Sequence, residues 1–376
     1  MNRKSVYVAK RRSVLSVANT FYLSKSYPGT RVAKSQSRTY KRPMSIAYSQ
    51  NHDAYVVAAL FDSLDEPIVA LADGRVLYPD AGKTFDAHPN SSVLSAVIHP
   101  TGLGIVTGGD DGRVVWTTKD SGPIELVAHK GLWIDAIAAA PQGQVIAYAA
   151  AKKVFVRDLL KKTEFLFAHD ASVSDLVFSA DGRKLYCATY NGVVVWFSRI
   201  EKQKPNKLFW AGSHTKIAIS PGDKFLVTAM QENALHGWRL QDGKDMRMGG
   251  YPAKIKSLQF FAMGKLLATS GANGAVVWPF LKATGPMGEN ASEINPEEAT
   301  MVTVCAGAPD DTVLAAGTED GRVWLAELQS TGVEWIKAEK GSPISAIAVS
   351  SDTTRVVFGD EEGMVYIYQE EREPAA

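Results

Sequence analysis

The stretch Asp111-Gly112-Arg113-Val114-Val115-Trp116 decides the fold. An Asp-Gly pair flanked by apolar runs is a strong short-range hairpin signal, because both central residues of such a turn need positive φ. The same device stands at Asp73-Gly74 before Val76-Leu77-Tyr78 and at Asn191-Gly192 before Val194-Val195-Trp196. It returns at Asn273-Gly274 before Val276-Val277-Trp278, at Asp320-Gly321 before Val323-Trp324-Leu325, and at Glu362-Gly363 before Val365-Tyr366-Ile367. The glycines are spaced by 38, 80, 82, 47 and 42 residues, so the two large gaps are double periods. Degenerate turns are therefore expected near 152 and 233. Lys152-Lys153 before Val154-Phe155-Val156 and Asn233-Ala234 before Leu235-His236-Gly237-Trp238 fill them, making eight units.

Upstream of each hairpin lies a strand rich in small and branched residues, among them Val56 to Phe61, Val93 to Ile98, Ile134 to Ala139 and Ile344 to Val349. It ends in a turn such as Pro100-Thr101-Gly102 or Pro221-Gly222-Asp223. Small side chains suit the innermost strand of a ring, where neighbours crowd a central channel. A repeat of about 40 residues holding four strands is the size of a propeller blade. The expected fold is thus all-β: a propeller of eight blades of four antiparallel strands, with seven blades as the alternative.

At these residues the chain resembles WD40 repeat proteins, which place Gly-His before the first strand and Trp-Asp at the end of the third. The first signature survives as Ala87-His88, Ala128-His129 and Ala168-His169, with Ser213-His214 a looser match. Trp stands at 116, 196, 238 and 278, while the Asp after it is largely lost, except that Arg157-Asp158 ends one unit. The resemblance covers roughly residues 49–371. It implies a shared hydrogen-bond network that His88, Thr107, Asp111 and Trp116 would supply in one blade, although the interval from turn to Trp is one residue short. Cys187 and Ala316 stand where other blades should carry the Thr. His129 to Asp135, Met230 to Arg239 and Gly250-Tyr251-Pro252-Ala253-Lys254 resemble a bacterial, alphaproteobacterial-type single-domain WD40 group to which no activity is assigned. That resemblance implies a fold and no mechanism.

Charge divides the chain in two. Residues 1–52 carry 11 Lys and Arg and no Asp or Glu, leaving 41 − 11 = 30 basic and 40 acidic residues in the rest, a net of −10. A body of that sign repels phosphate backbones, so nucleic acid is not an expected partner of the propeller. No apolar run reaches the length of a membrane span. Two cysteines, Cys187 and Cys305, lie in apolar β-like runs and form no disulfide or metal pattern, which fits a cytoplasmic setting. Residues 1–43 read as a basic disordered extension, favoured as one without function, with too early a start codon as one origin for it. An organellar transit peptide, an arm that touches nucleic acid or anionic lipid, and (least well matched) a secretory signal stay open. The propeller is expected over 44–371, with 44–49 as a closing strand that completes the last blade, and 372–376 as a tail. The longer connection from Leu281 to Thr300 reads as an outer-strand insertion, with a binding loop as the other reading.

No catalytic constellation, cofactor motif or metal motif is present: HExxH, paired CxxC, GxSxG and P-loop patterns are all missing. His88, His129 and His169 recur at repeat intervals and would not converge on one ion. The expected function is a non-catalytic, monomeric interaction scaffold that binds a protein or peptide on its top-face loops. The candidate partner residues are Trp133, Tyr190, Gln231, Glu232, Tyr251 and Lys254, grouped by their places in loops of one face. The alternative is a propeller enzyme or a small-ligand or metal binder at the channel mouth, for which Asp135 and Asp175 on innermost strands are the candidates.

Overall fold

The computed structural model describes residues 7–8, 43–329 and 332–371. Every regular element among them is a β-strand, laid down in sequence order as antiparallel meanders. The first meander joins Val56–Phe61, Pro67–Leu71, Arg75–Tyr78 and Lys83–Asp86. The second joins Val93–Ile98, Ile105–Gly109, Arg113–Thr118 and Gly122–Ala128. The third runs from Ala136–Ala139 through Val145–Ala150 and Lys153–Asp158 to Thr163–Ala168. Later sheets begin at Leu258–Phe261, Val302–Gly307 and Ile344–Val349. Second strands such as Pro67–Leu71 and Val145–Ala150 are buried at every position, because both of their faces are covered by neighbouring sheets.

The expectation of eight separate four-stranded blades is corrected. Hydrogen bonding among the described residues makes seven sheets, the number of the alternative reading: six of four strands and one of seven. The large sheet arises because Lys184–Phe197 and Asn206–Ile219 are each 14 residues long: the first runs on through the Asn191-Gly192 turn inside the fourth repeat, and the second through the position where the fourth and fifth repeats would part. The first half of Lys184–Phe197 pairs with Asp175–Phe178, and its second half with the start of Asn206–Ile219. The far half of Asn206–Ile219 pairs with Phe225–Met230. The fourth and fifth repeats thus share one sheet. The large sheet also takes up Tyr7–Val8, which pairs in parallel with Met248 and Gly249. An edge strand offers unpaired backbone groups to such an addition. The basic disordered extension expected over 1–43, apart from Tyr7, Val8 and Pro43, and the tail expected over 372–376 lie outside the described residues.

The innermost strand of each repeat touches that of the next, and Ile344–Val349 returns to Val56–Phe61. Met44–Asn51 pairs antiparallel with Met364–Glu370 as the fourth strand of the last sheet. Hydroxyls staple the ring at the channel wall. Thr303 donates to the Ile344 carbonyl at 2.6 Å, and Ser345 donates to the Val56 carbonyl at 2.7 Å, across 289 residues of sequence. The inner strands can approach this closely because small residues face them. A Cβ added at Gly359 would lie 2.5 Å from the Val56 side chain.

The turns correct one detail of the sequence reading. Asn191 and Gly192 both have positive φ (66° and 121°), as expected. At Asp73-Gly74, Asp111-Gly112 and Asp320-Gly321 only the glycine does. There the aspartate caps the turn instead: the Asp111 carboxylate accepts from the Arg113 amide at 2.9 Å.

Candidate functional site

Two kinds of structure compete for the aromatic and histidine side chains, and burial separates them. His88 is fully buried. Its Nδ1 lies 3.1 Å from Asp111 and its Nε2 2.9 Å from the Thr107 hydroxyl. Desolvation holds its pKa below the ordinary value, against the raising pull of Asp111. The neutral ring therefore donates to the carboxylate through Nδ1 and accepts from Thr107 at Nε2. The expected fourth member is corrected: Trp116 donates to the Leu103 carbonyl at 3.0 Å, and its ring stacks on His99 at 4.0 Å. Thr107 is cross-strand from Val115, so alternation turns Trp116 to the other face, as its short interval from the turn requires.

Tyr251 is a second correction. It is buried rather than presented to a partner, and its hydroxyl bonds Thr269 at 2.7 Å while Trp278 Nε1 donates to it at 2.7 Å. It occupies in its repeat the place that His88 occupies in another, so a phenol does the work of the imidazole. The same station recurs with other chemistry elsewhere. His214 bonds Thr228 at 2.7 Å, His129 bonds the Tyr148 hydroxyl at 2.9 Å, and Trp196 donates to His169 at 3.1 Å. Burial lowers the pKa of His169 to about 4.

The other candidates are exposed. Trp133 retains 64% of its surface and Tyr190 62%, whereas Trp196, Trp238, Trp278 and Trp324 are all buried. Tyr190, Gln231 and Glu232 come together around one short segment. Tyr190 pairs with Ser213, the Gln231 amide donates to the Ser213 carbonyl at 3.0 Å, and the Glu232 carboxylate lies over Gly212. Trp133 enters the third repeat and Lys254 the sixth, so they flank this segment on either side. Tyr190 is corrected from a loop to the interior of the long strand Lys184–Phe197, while the other four belong to a turn between second and third strands or to loops entering an inner strand. The two kinds of turn share a face: a Cβ at Gly112 would meet the His129 and Leu132 carbonyls, and Gly271 sits against the Ala253 and Lys254 carbonyls.

Sequence reasoning missed Phe209, which is 70% exposed and lies opposite Gly192, two residues from Tyr190. A phenylalanine on an outer strand facing a glycine is a legible signal once the pairing is known. The channel acids serve the backbone. Asp135 accepts from the Ala151 amide at 3.1 Å, and Asp175 accepts from the Leu176 amide at 3.0 Å and the Ile217 amide at 3.1 Å. Desolvation raises the Asp175 carboxyl. Among the described residues no group of three or more His, Cys, Asp or Glu is placed to hold a metal ion. Both thiols are buried, which pushes their pKa values up and away from reactivity.

Known proteins give the geometry a context. Residues 102–372 match the PQQ_2 family model, described as outer membrane protein assembly factor BamB, and residues 81–116 match the WD40 model, WD domain, G-beta repeat. The ribosome biogenesis protein WDR12 homolog of Drosophila mojavensis is 26% identical over 133 residues, covering 34% of this chain and 31% of that protein. Autophagy-related protein 16 of Arabidopsis thaliana is 22% identical over 267 residues, 69% of this chain and 52% of that one. Echinoderm microtubule-associated protein-like 4 of Xenopus laevis is 23% identical over 317 residues, 74% of this chain and 32% of that one. The chain thus spans about a third to a half of the curated relatives it matches. The computationally designed Ika8 protein superposes with a TM-score of 0.66 at 18% identity, over 85% of this chain and 98% of that one, a likeness of fold alone.

Proposed function

The chain belongs to the repeat β-propellers of the WD40 type and of that wider family model, and from this premise we propose that it is a non-catalytic scaffold that docks a protein or peptide partner on its aromatic face. The observation that carries the reading is the exposure of Trp133, Tyr190 and Phe209 on a ring whose other large aromatics are mostly buried. Aromatic side chains held on a rigid frame bury much area at little entropic cost, and they recur as binding hot spots. Gln231, Glu232 and Lys254 supply polar groups at the margin of the patch and would fix the orientation of the partner. The body carries 30 basic and 40 acidic residues outside the first 52, so a partner with a phosphate backbone is disfavoured.

The experiment is recovery of partners from the native cell with the full chain as bait, followed by the same recovery with Trp133→Ala, Tyr190→Ala and Phe209→Ala. The expected result is loss of a shared set of partners at an unchanged melting temperature. Retention of every partner in all three variants would sink the reading. Stoichiometric heat on titration with a divalent metal would favour the channel-mouth alternative instead.

A further inference from the structure

On the face opposite the aromatic patch, turns between first and second strands and between third and fourth strands build a groove of about 550 Å³ under the fourth, fifth and sixth repeats. Its floor is apolar: Tyr186, Phe225 and Phe280 are buried there, with Leu240 and Leu281 at the sides. The long connection after Phe280 forms one wall. Gly285 folds it back so closely that a Cβ there would stand 3.1 Å from the Phe225 ring and 3.4 Å from the Met246 sulfur. The insertion is thereby packed against the ring.

The lining carries four cations, Lys184, Lys224, Arg239 and Lys282, from four separate chain segments. Two carboxylates, Asp181 and Asp223, also line it, so the local balance is 4 − 2 = +2 on a body whose net charge is −10. Both carboxylates are already occupied, Asp181 by its own turn and Asp223 by the turn of the preceding repeat. Asp181 accepts from the Ser179 hydroxyl at 2.6 Å and the Arg183 amide at 2.9 Å, and Asp223 accepts from the Ala180 amide at 2.9 Å. Arg239 is held by Asp242 and Lys282 by Glu289, both outside the lining. Lys184 and Lys224 make no ion pair among the described residues and are both exposed.

We propose that this groove is a second docking site, for an acidic, leucine-bearing peptide segment of a partner protein. Free ammonium groups at the rim meet carboxylates, while the floor and the two leucines take an aliphatic side chain. The span across three repeats suits an extended peptide better than a compact anion. The site is independent of the aromatic face, so either can fail alone.

The test is fluorescence anisotropy of the full chain with a labelled ten-residue peptide alternating glutamate and leucine. Binding is expected to saturate, to weaken at least about threefold between 50 and 300 mM salt as rim charges are screened, and to fall at least about tenfold in Lys184→Glu/Lys224→Glu. Neutral Lys184→Gln/Lys224→Gln should give an intermediate loss, and Trp133→Ala none. The proposal is overturned by wild-type affinity in the charge-reversed variant, by no saturation up to about 1 mM peptide, or by loss in Trp133→Ala instead. Tighter capture of a single-stranded oligonucleotide through the same lysines would overturn it too.

Discussion

The repeat that holds His88 and the one that follows Tyr251 solve one problem with different chemistry. Each must tie the loop entering its inner strand to the second and third strands, where backbone ladders do not reach. In the first, a buried imidazole spans Asp111 and Thr107. In the second, a buried phenol takes a bond from Trp278, shares one with Thr269, and Thr269 passes it to the Val276 carbonyl at 3.1 Å. The station is set by geometry and the residue that fills it varies: His88 and Tyr251 satisfy their buried polar atoms, whereas His169 fills its station with Nδ1 buried and without a hydrogen bond among the described residues. The two fillings differ in one respect that matters outside the fold: an imidazole can charge in mild acid and a phenol cannot.

The largest expected break comes from Trp278→Ala, which empties a fully buried site and takes away the indole donor to the Tyr251 hydroxyl; a loss of about 3–5 kcal/mol is expected by denaturant titration. A loss under 1 kcal/mol by that titration would show that the station is not a structural tie. Tyr251→Phe keeps the ring and removes only the hydroxyl, leaving Thr269 and Trp278 without that partner, at a cost of about 1–3 kcal/mol. Asp111→Ala frees His88 Nδ1 and the Arg113 amide and should cost about 1–2 kcal/mol, since part of that carboxylate is reached by water. If Asp111→Ala proved costlier than Trp278→Ala, the ranking by burial would be wrong.

Acid should separate the two stations. His88 is held below the ordinary histidine range by desolvation, and burial lowers His99 and His169 to about 4. Above pH 6.5 both folded and unfolded chains leave these rings neutral. As pH falls from 6.5 towards 4 the unfolded chain takes up protons that the folded chain refuses, so stability declines through that window. Each tenfold change in proton affinity is worth about 1.4 kcal/mol. The deficit of His88→Ala, measured against wild type by denaturant titration, should therefore shrink as pH falls, while that of Tyr251→Phe stays constant. Parallel deficits for both variants from pH 7 to pH 4 would remove the distinction. The smallest effect belongs to Trp133→Ala, within about 0.5 kcal/mol of wild type, because an exposed side chain forfeits little on truncation.

Much of the ring was legible in the chain. The Asx-Gly turns and the β-branched runs after them are local signals, and turn chemistry fixes a hairpin without reference to anything distant. The degenerate turns at Lys152-Lys153 and Asn233-Ala234 were recoverable from spacing alone. Less was legible at the candidate site. Gln231 and Glu232 sat in an expected loop, yet nothing local said that Tyr190 lies within a strand, that the three gather around Ser213, or that Tyr251 points inward while Trp133 points out. Phe209 could not be placed until its partner Gly192 was known.

What the sequence determined by itself is the alternation of strands and turns, because residue-by-residue periodicity and turn preference act over a few positions. What only the tertiary structure decided is the merger of two repeats into one sheet and the direction each side chain faces. Register shifts mark the inner-strand starts at Val302/Val304 and Ile344/Ala346 and the crossing at Tyr190/Gly192. A shift of one residue in a strand sends every later side chain to the opposite face. At two of these shifts the extra residue, Thr303 or Ser345, turns its hydroxyl to a carbonyl of the next inner strand, a partner the local sequence does not contain.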